Sequence, residues 1–460
     1  MQIYVLFSIF AVPVYLFMTA IQTNHDHKTN KPMRKTIIAA ILIFTSASVG
    51  AQSVRKEISE NLHLSASNHL AYPNPKPGAM TAPPDGKKPF YISHYGRHGS
   101  RFLIGKDEYD APYSTLAKAD SAGALTDTGR DVMRRIAALR DEARGRLGEL
   151  TPLGARQHRN IARRMYERFP EVFAGNANID AKSTVVIRCI LSMENELLQL
   201  TALNPMINTT HDASEHDMYY MNFNDKKLKA KARPKSAERV YREFCNAYPT
   251  HKRLMTVLFA DTAYANRNVD AEKLSDRLFK LASNIQNCES RRDITLYDIF
   301  TDEELYLNWK KNNVRWYMTY GACPLNGGTQ PFTQRNLLRR IIEEADSCIA
   351  LPKPGATLRF GHETMVLPLT CLLGINGYDM EVSDMEKLEK KGWINYRIFP
   401  MAANIQFIFY REGPDDDDVI FKVLLNENEA TLPLKTNIAP YYRWKDFRKY
   451  YLDKINSFKE

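Results

Sequence analysis

No cysteine precedes Cys189, and the six that follow, at 189, 245, 288, 323, 348 and 371, form neither a Cys-x-x-Cys pair nor a cysteine–histidine pair at metal-ligand spacing. That argues against a thiol-redox motif and a structural zinc site. It also removes any thiol for lipid attachment near the N-terminus. In an oxidising compartment some of the six can pair, Cys323 with Cys348 being one option among many. The chain has no basic tail, no recognisable nucleic-acid module and no internal repeat. Its net charge of +10 therefore points to small anions rather than nucleic acid as partners. A composition 44% hydrophobic and 11% aromatic excludes general disorder, and 460 residues exceed one typical core, so about two domains are expected.

The N-terminal 51 residues stand apart. Residues 1–21 carry no charged side chain, and Met33-Arg34-Lys35 opens a second apolar run, Ile37 to Phe44, that ends in small residues up to Ala51. A basic start, short apolar middle and Val-x-Ala-like end read as an export signal. Translation from Met33, cleavage near Ala51 and a soluble periplasmic or secreted protein beginning at Gln52 are expected. The rival for residues 1–21 is a membrane anchor. Loss of residues 1–51 removes four basic and one acidic residue and leaves +7.

After a Pro/Asn/Gly-rich entry segment, Pro89 to Tyr95 reads as a short strand that stops at Gly96. Helices are predicted over Asp127–Leu147 and from Thr151-Pro152, an N-cap followed by proline. Ser183 to Ile187 is a β-branched run, predicted as a buried strand leading into a helix over Cys189–Leu203. From 204 to 349 strand signals nearly vanish. Thr301-Asp-Glu-Glu304 is a capping box, Thr333 to Ser347 an amphipathic helix, and Trp309 and Trp316 are candidate core. Strand character returns at Thr357–Phe360, a hairpin is predicted from Ile405–Tyr410 and Val419–Leu425, and Tyr442–Phe458 is a closing helix. The fold class is α/β: a sheet core flanked by helices with an inserted, mostly helical cap. The divisions are 1–51 extension and signal, 52–203 core, 204–349 cap, and 350–460 core.

Three strand ends carry reactive residues: Arg97-His98-Gly99-Ser100-Arg101, Arg188, and His362-Glu363 at a helix start. Ligands of open α/β sheets bind at carboxyl strand ends, and helix N-termini there favour anions. Arg97, Arg101 and Arg188 offer forked donors to phosphate oxygens. His98 can attack phosphorus, and Glu363 can protonate a departing alkoxide. Lys226 to Lys235 is a basic cluster that reads first as a solvated face. His94 reads as a packed residue. The four carboxylates Asp415–Asp418 point apart in a turn and make a poor metal site.

The Arg97–Arg101 run resembles the signature of the histidine acid phosphatases, the branch with phytases and multiple inositol polyphosphate phosphatases. Leu150-Thr-Pro-Leu-Gly154 with Gln157-His158, the segment Ser183–Ser192 around Arg188, and Phe360-Gly-His-Glu-Thr364 resemble later motifs of that family, in its order, over most of residues 85–375. The resemblance implies His98 as nucleophile, Arg97, Arg101, Arg188 and His362 as phosphate ligands, and Glu363 as proton donor. It implies a phosphomonoesterase that works through a phosphohistidine, on a small anionic phosphate ester, with inositol polyphosphates such as phytate as the leading guess and no metal or cofactor; mildly acidic pH is expected because attack needs a neutral imidazole and the donor must be protonated. A non-catalytic phosphate-ester binder and a phosphotransferase are the alternatives. The chain departs from the pattern twice: Phe102-Leu103 stands where a proline is usual, and Glu363 stands where most members have Asp.

Overall fold

The computed structural model describes residues 53–459 apart from 76, 77 and 79, so the expected export signal and candidate anchor lie outside the described residues. Contacts gather Val54–Glu460 into one compact unit. Among the described residues, none of the helices is long and apolar enough to cross a membrane.

A mixed sheet runs through this unit. Its strands are β1 (Lys88–Arg97), β2 (Asn178–Ser183), β3 (Asn208–Asp212), β4 (Gly355–Gly361), β5 (Asn404–Arg411), β6 (Ile420–Leu425), β7 (Asn428–Ala430) and β8 (Tyr442–Arg443). The order is β3-β2-β4-β1-β5-β6-β7, with β8 on β6. The first four in that order are mutually parallel; β1 meets β5 antiparallel, and β5 and β6 form the expected antiparallel hairpin.

Ten long helices flank it: α1 (Lys106–Ser121), α2 (Asp127–Glu142), α3 (Pro152–Arg168), α4 (Ile187–Leu203), α5 (Lys235–Asn246), α6 (Ala271–Ile285), α7 (Asp302–Tyr320), α8 (Arg335–Ile349), α9 (Glu363–Leu373) and α10 (Trp444–Ser457).

The central strands are buried on both faces, and their side chains divide with the pleat. Tyr91, Tyr95, Phe407 and Phe409 face a core completed by α8, α9 and α10. Ile92, Ile408 and Tyr410 face the opposite core, completed by α3 and α4. The layers are therefore helix, sheet, helix.

A third core holds no strand residue and is built mainly from helices, with loop residues such as Phe102 and Leu103. It joins Leu116 of α1 and Val132 and Ile136 of α2 to Leu278 of α6 and Leu305 and Trp309 of α7. This helical body thus draws α1 and α2 from the segment assigned on sequence to the sheet domain. Other parts of the 204–349 stretch, such as Tyr220, Phe244 and Tyr317, pack into the sheet's own core.

Local signals behave as their chemistry requires. Thr151 caps α3 through Gly154 N, with Pro152 at the first helical position. Thr301 and Glu304 form the capping box of α7. Trp309 is buried, its indole N–H donating to Asn395, whereas Trp316 is only partly buried and packs on Phe399.

Two expectations are corrected, and the open question of the cysteines is answered. The β-branched run at 183–187 is not a strand: β2 ends at Ser183, Val185 is 39% and Ile187 66% exposed, and the chain turns through extended residues into α4. β-branching favoured the extended backbone, and the turn denied it a partner. The insert does contain a strand, β3, whose sequence Asn-Thr-Thr-His-Asp is exposed throughout. An edge strand with no buried face has no alternation to reveal it. All six cysteines are free, so Cys323 and Cys348 are not paired.

Candidate active site

The parallel register sets the site. Arg97 at the end of β1 pairs with Gly361 at the end of β4, and the His98 amide donates to the Gly361 carbonyl (2.9 Å). His98 and His362 therefore leave neighbouring strands side by side, ring centroids 5.7 Å apart. On the far side of β4, Thr184 N donates to Phe360 O, which brings the loop bearing Arg188 alongside. Gly361 has no space for a side chain, because a β-carbon there would strike the Tyr95 phenol.

The loop that follows His98 is held from three directions. Gly99 passes so close to Gly154 at the start of α3 that a β-carbon would lie 2.6 Å from the Gly154 carbonyl oxygen; two glycines let loop and helix meet. The Gly99 amide donates to Ser192 Oγ (3.1 Å) and the Ser100 amide to Gln157 Oε1 (2.8 Å). Ser100 Oγ donates to Asn287 Oδ1 (2.6 Å). Phe102 and Leu103, where proline was expected, are buried anchors: Leu103 N donates to the Tyr109 hydroxyl, and Phe102 lies beneath the Arg146 guanidinium.

His98 Nδ1 is 2.9 Å from its neighbour's Gly99 carbonyl. That oxygen can only accept, so Nδ1 carries the proton and Nε2 presents a lone pair. Nε2 lies 3.6 Å from Glu363 Oε2, and Arg97 Nε lies 3.1 Å from the same oxygen.

The structure brings Arg97, His98, Arg101, His362 and Glu363 together as buried residues, with Arg188 half-buried beside them. Arg97 Nη1 is committed to the carbonyls of Asn68 and Phe399. Its Nη2, Arg101 Nε and Arg188 Nε are buried without partners. Unpartnered guanidinium donors around one imidazole form a cradle for an oxyanion. Thr184 Oγ1 is 3.3 Å from His362 Nε2, and the Cys189 thiol lies against the same ring.

Electrostatics follow from burial and these cations. Burial, with Arg97 and Arg188 assisting, holds the His98 imidazole well below the usual histidine range although Glu363 opposes it. Burial pushes His362 down to about 4 and Arg97 to about 10. For Glu363 burial works against ionisation, yet the Arg97 and Arg101 guanidinium groups prevail and hold it well below the carboxylate range. Glu363 is also the first residue of α9, where the helix dipole favours a negative charge.

His98, His362 and Glu363 place ligand atoms within 4.8 Å of one another, close enough to hold a metal ion. Three guanidinium groups around them oppose a cation and attract an anion. The donor set fits phosphate better.

A cleft of about 930 Å³ opens beside this cluster. Its near end is Asn68 and His69; the first accepts from Arg97, and burial plus Arg101 hold His69 well below its ordinary range. Five cations line it: Arg233, Arg242, Lys280, Lys311 and Arg315. Glu238 pairs with Arg233 and Arg315, and Glu108 with Lys280. The farther wall carries Asp276 and Glu272.

Of the Lys226–Lys235 cluster only Arg233 lines this cleft. His94 is buried beside Phe360 with neither ring nitrogen partnered, and burial pushes it down to about 3. Within the Asp415–Asp418 run, Asp416 pairs with Lys87 and Asp418 with Arg443. Sequence reasoning missed Ser192, Asn287 and the other four cleft cations, Arg242, Lys280, Lys311 and Arg315. The one available signal for the latter was the polar and aromatic stripe 308, 311, 312, 315, 316, 319, 320 along α7, a face too polar for core.

A model of the histidine phosphatase superfamily (branch 2) matches residues 96–426. Multiple inositol polyphosphate phosphatase 1 of Dictyostelium discoideum is 26% identical over 110 residues, a stretch that is 23% of this chain and 17% of that protein. Among solved structures, the apo multiple inositol polyphosphate phosphatase of Bifidobacterium longum is similar with a TM-score of 0.66 at 17% identity, over 84% of this chain and 96% of that one. The same enzyme with inositol hexasulfate gives 0.65 at 16% identity, over 84% and 96%. The phytase from D. castellii gives 0.61 at 16% identity, over 86% of each chain. At these identities the likeness is one of fold.

Proposed function

The chain belongs to the histidine phosphatase superfamily, branch 2, and from that premise we propose that it hydrolyses phosphate monoesters through a phosphohistidine at His98. The observation that carries this reading is a buried His98 whose Nε2 bears a lone pair, in one cluster with unpartnered donors of Arg97, Arg101 and Arg188. A binding protein would need the arginines but not an imidazole fixed in its attacking tautomer.

In the first step His98 Nε2 bonds to phosphorus as the ester P–O bond breaks. The leaving oxygen takes a proton from Glu363. The guanidinium groups and His362 hold the phosphoryl oxygens, whose charge they are fixed to meet. In the second step water attacks phosphorus, gives its proton back to Glu363, and the P–N bond breaks. A phosphate dianion in the cradle offsets the arginine charge and so raises the proton affinity of Glu363, which lets a carboxyl ionised in the empty site arrive protonated.

For substrate, we propose small polyanionic phosphate esters, inositol polyphosphates first. The five cations of the cleft support this, as do the names of the relatives. Export is part of the proposal, supported by the composition of residues 33–51.

The test is phosphate release from p-nitrophenyl phosphate and phytate at pH 4–8 without added metal, by the parent and its His98→Ala variant. Release by the parent and none by the variant is expected. A parent inactive on both would return the protein to the binding reading.

A further inference from the structure

Beneath the catalytic loop lies a buried polar pair with no part in the steps above. His158 Nδ1 and Glu196 Oε1 are 2.8 Å apart, with 1% and 0% of their side chains exposed. Each is incompletely satisfied: His158 Nε2 and Glu196 Oε2 have no partner. Such a pair is a poor way to gain stability, since well-packed apolar residues of similar volume serve as well or better. A hydrogen bond does one thing that apolar packing does not: it fixes the register of the two elements it joins.

Those elements are α3 and α4, and both grip the nucleophile loop. On α4, Ser192 Oγ donates to the Arg188 carbonyl (2.7 Å), so its lone pair is aimed at the Gly99 amide. Glu196 lies one helical turn below Ser192 on the same face. On α3, Gly154 packs against Gly99, and Gln157 accepts the Ser100 amide. His158 follows Gln157 and lies one turn below Gly154. The pair thus joins the two helices within one turn of the Gly154, Gln157 and Ser192 contacts to residues 99 and 100. Arg188, a phosphate ligand in the reading above, rides on α4 as well.

We propose that His158 and Glu196 are positioning residues of the reaction: their hydrogen bond sets α3 against α4 and thereby aims the His98 imidazole through the Gln157 and Ser192 contacts to its loop. The inference rests on the hydrolase reading. It predicts that turnover depends on the pair while stability does not.

The experiment compares phosphate release from p-nitrophenyl phosphate by the full-length parent, the double variant His158→Leu/Glu196→Met, and Glu196→Gln, whose amide can keep the bond. The double variant is expected to melt no earlier than the parent, with kcat reduced at least about tenfold and KM changed less than about threefold. Glu196→Gln should stay within about threefold of the parent in kcat. A folded double variant with parental kcat overturns the proposal. If that variant does not fold, Gln157→Leu and Ser192→Ala decide. They cut the loop contacts and leave the pair intact, so an unchanged kcat in both overturns it equally. A parent that releases no phosphate sinks the hydrolase reading and this inference together; an active parent beside an equally active folded double variant sinks the inference alone.

Discussion

Arg97 and His98, consecutive in the chain, converge on one oxygen of Glu363, at 3.1 and 3.6 Å. In the proposed reaction this carboxyl group gives its proton to the leaving oxygen. Glu363→Gln is expected to lower kcat about 10²-fold on phytate, whose alkoxide needs a proton. The loss on p-nitrophenyl phosphate should be much smaller, because nitrophenolate departs without one. Equal losses on both substrates would remove Glu363 from the donor role.

The pH profile follows from two downward displacements. Attack requires neutral His98, and its proton affinity is held well below the usual histidine range, so the acid limb lies well below pH 6.5. Donation requires protonated Glu363, also held low in the free enzyme. The whole bell of kcat/KM therefore sits on the acid side. A rate that climbs steadily to pH 9 would contradict the scheme.

That the candidate residues gather in one place was legible in the sequence because most are contiguous or sit at strand ends, at 97–101 and at His362-Glu363 after β4; Arg188 was reached through a run, 183–187, that is not a strand. The sheet's central strands were legible for a similar reason, being short apolar runs bounded by turn residues. The cleft was not. Its cations come from α5, α6, the segment before α5 and, two of them, α7, and only the packing of these helices makes them neighbours. β3 was hidden because an exposed edge strand has no apolar face.

Cleft charge predicts discrimination among substrates. Arg315→Met or Lys280→Met should lower the ratio of kcat/KM for phytate over p-nitrophenyl phosphate by about tenfold, a loss of roughly 1.4 kcal/mol of transition-state binding. Asp276→Asn should move the ratio the other way, since Asp276 lines the same cleft with opposite charge. Unaltered ratios in all three would mean the cleft is not where the remaining phosphates lie.

His94 gives a stability prediction. Its folded pKa is about 3, against 6.5 for the ordinary side chain. Between these values the unfolded chain binds a proton that the folded chain refuses, so His94 costs nothing above pH 6.5 and destabilises progressively below it. His94→Phe should therefore gain on the parent as pH falls, by on the order of 3 kcal/mol between pH 7 and pH 4. Denaturant unfolding at the two pH values measures it, and a difference independent of pH would refute the assignment.

The Ser100–Asn287 hydrogen bond ties the nucleophile loop, seated at the sheet, to the chain just beyond α6, whose apolar face belongs to the separate helical core. Asn287 in turn holds the His69 carbonyl. Phe102 and Leu103 of the same loop are themselves part of that core, so working competence depends on a body that the two sheet cores do not include. On heating, any loosening of the helical body releases Ser100 first, so thermal inactivation should run ahead of the loss of sheet structure and reverse on cooling as long as the sheet survives.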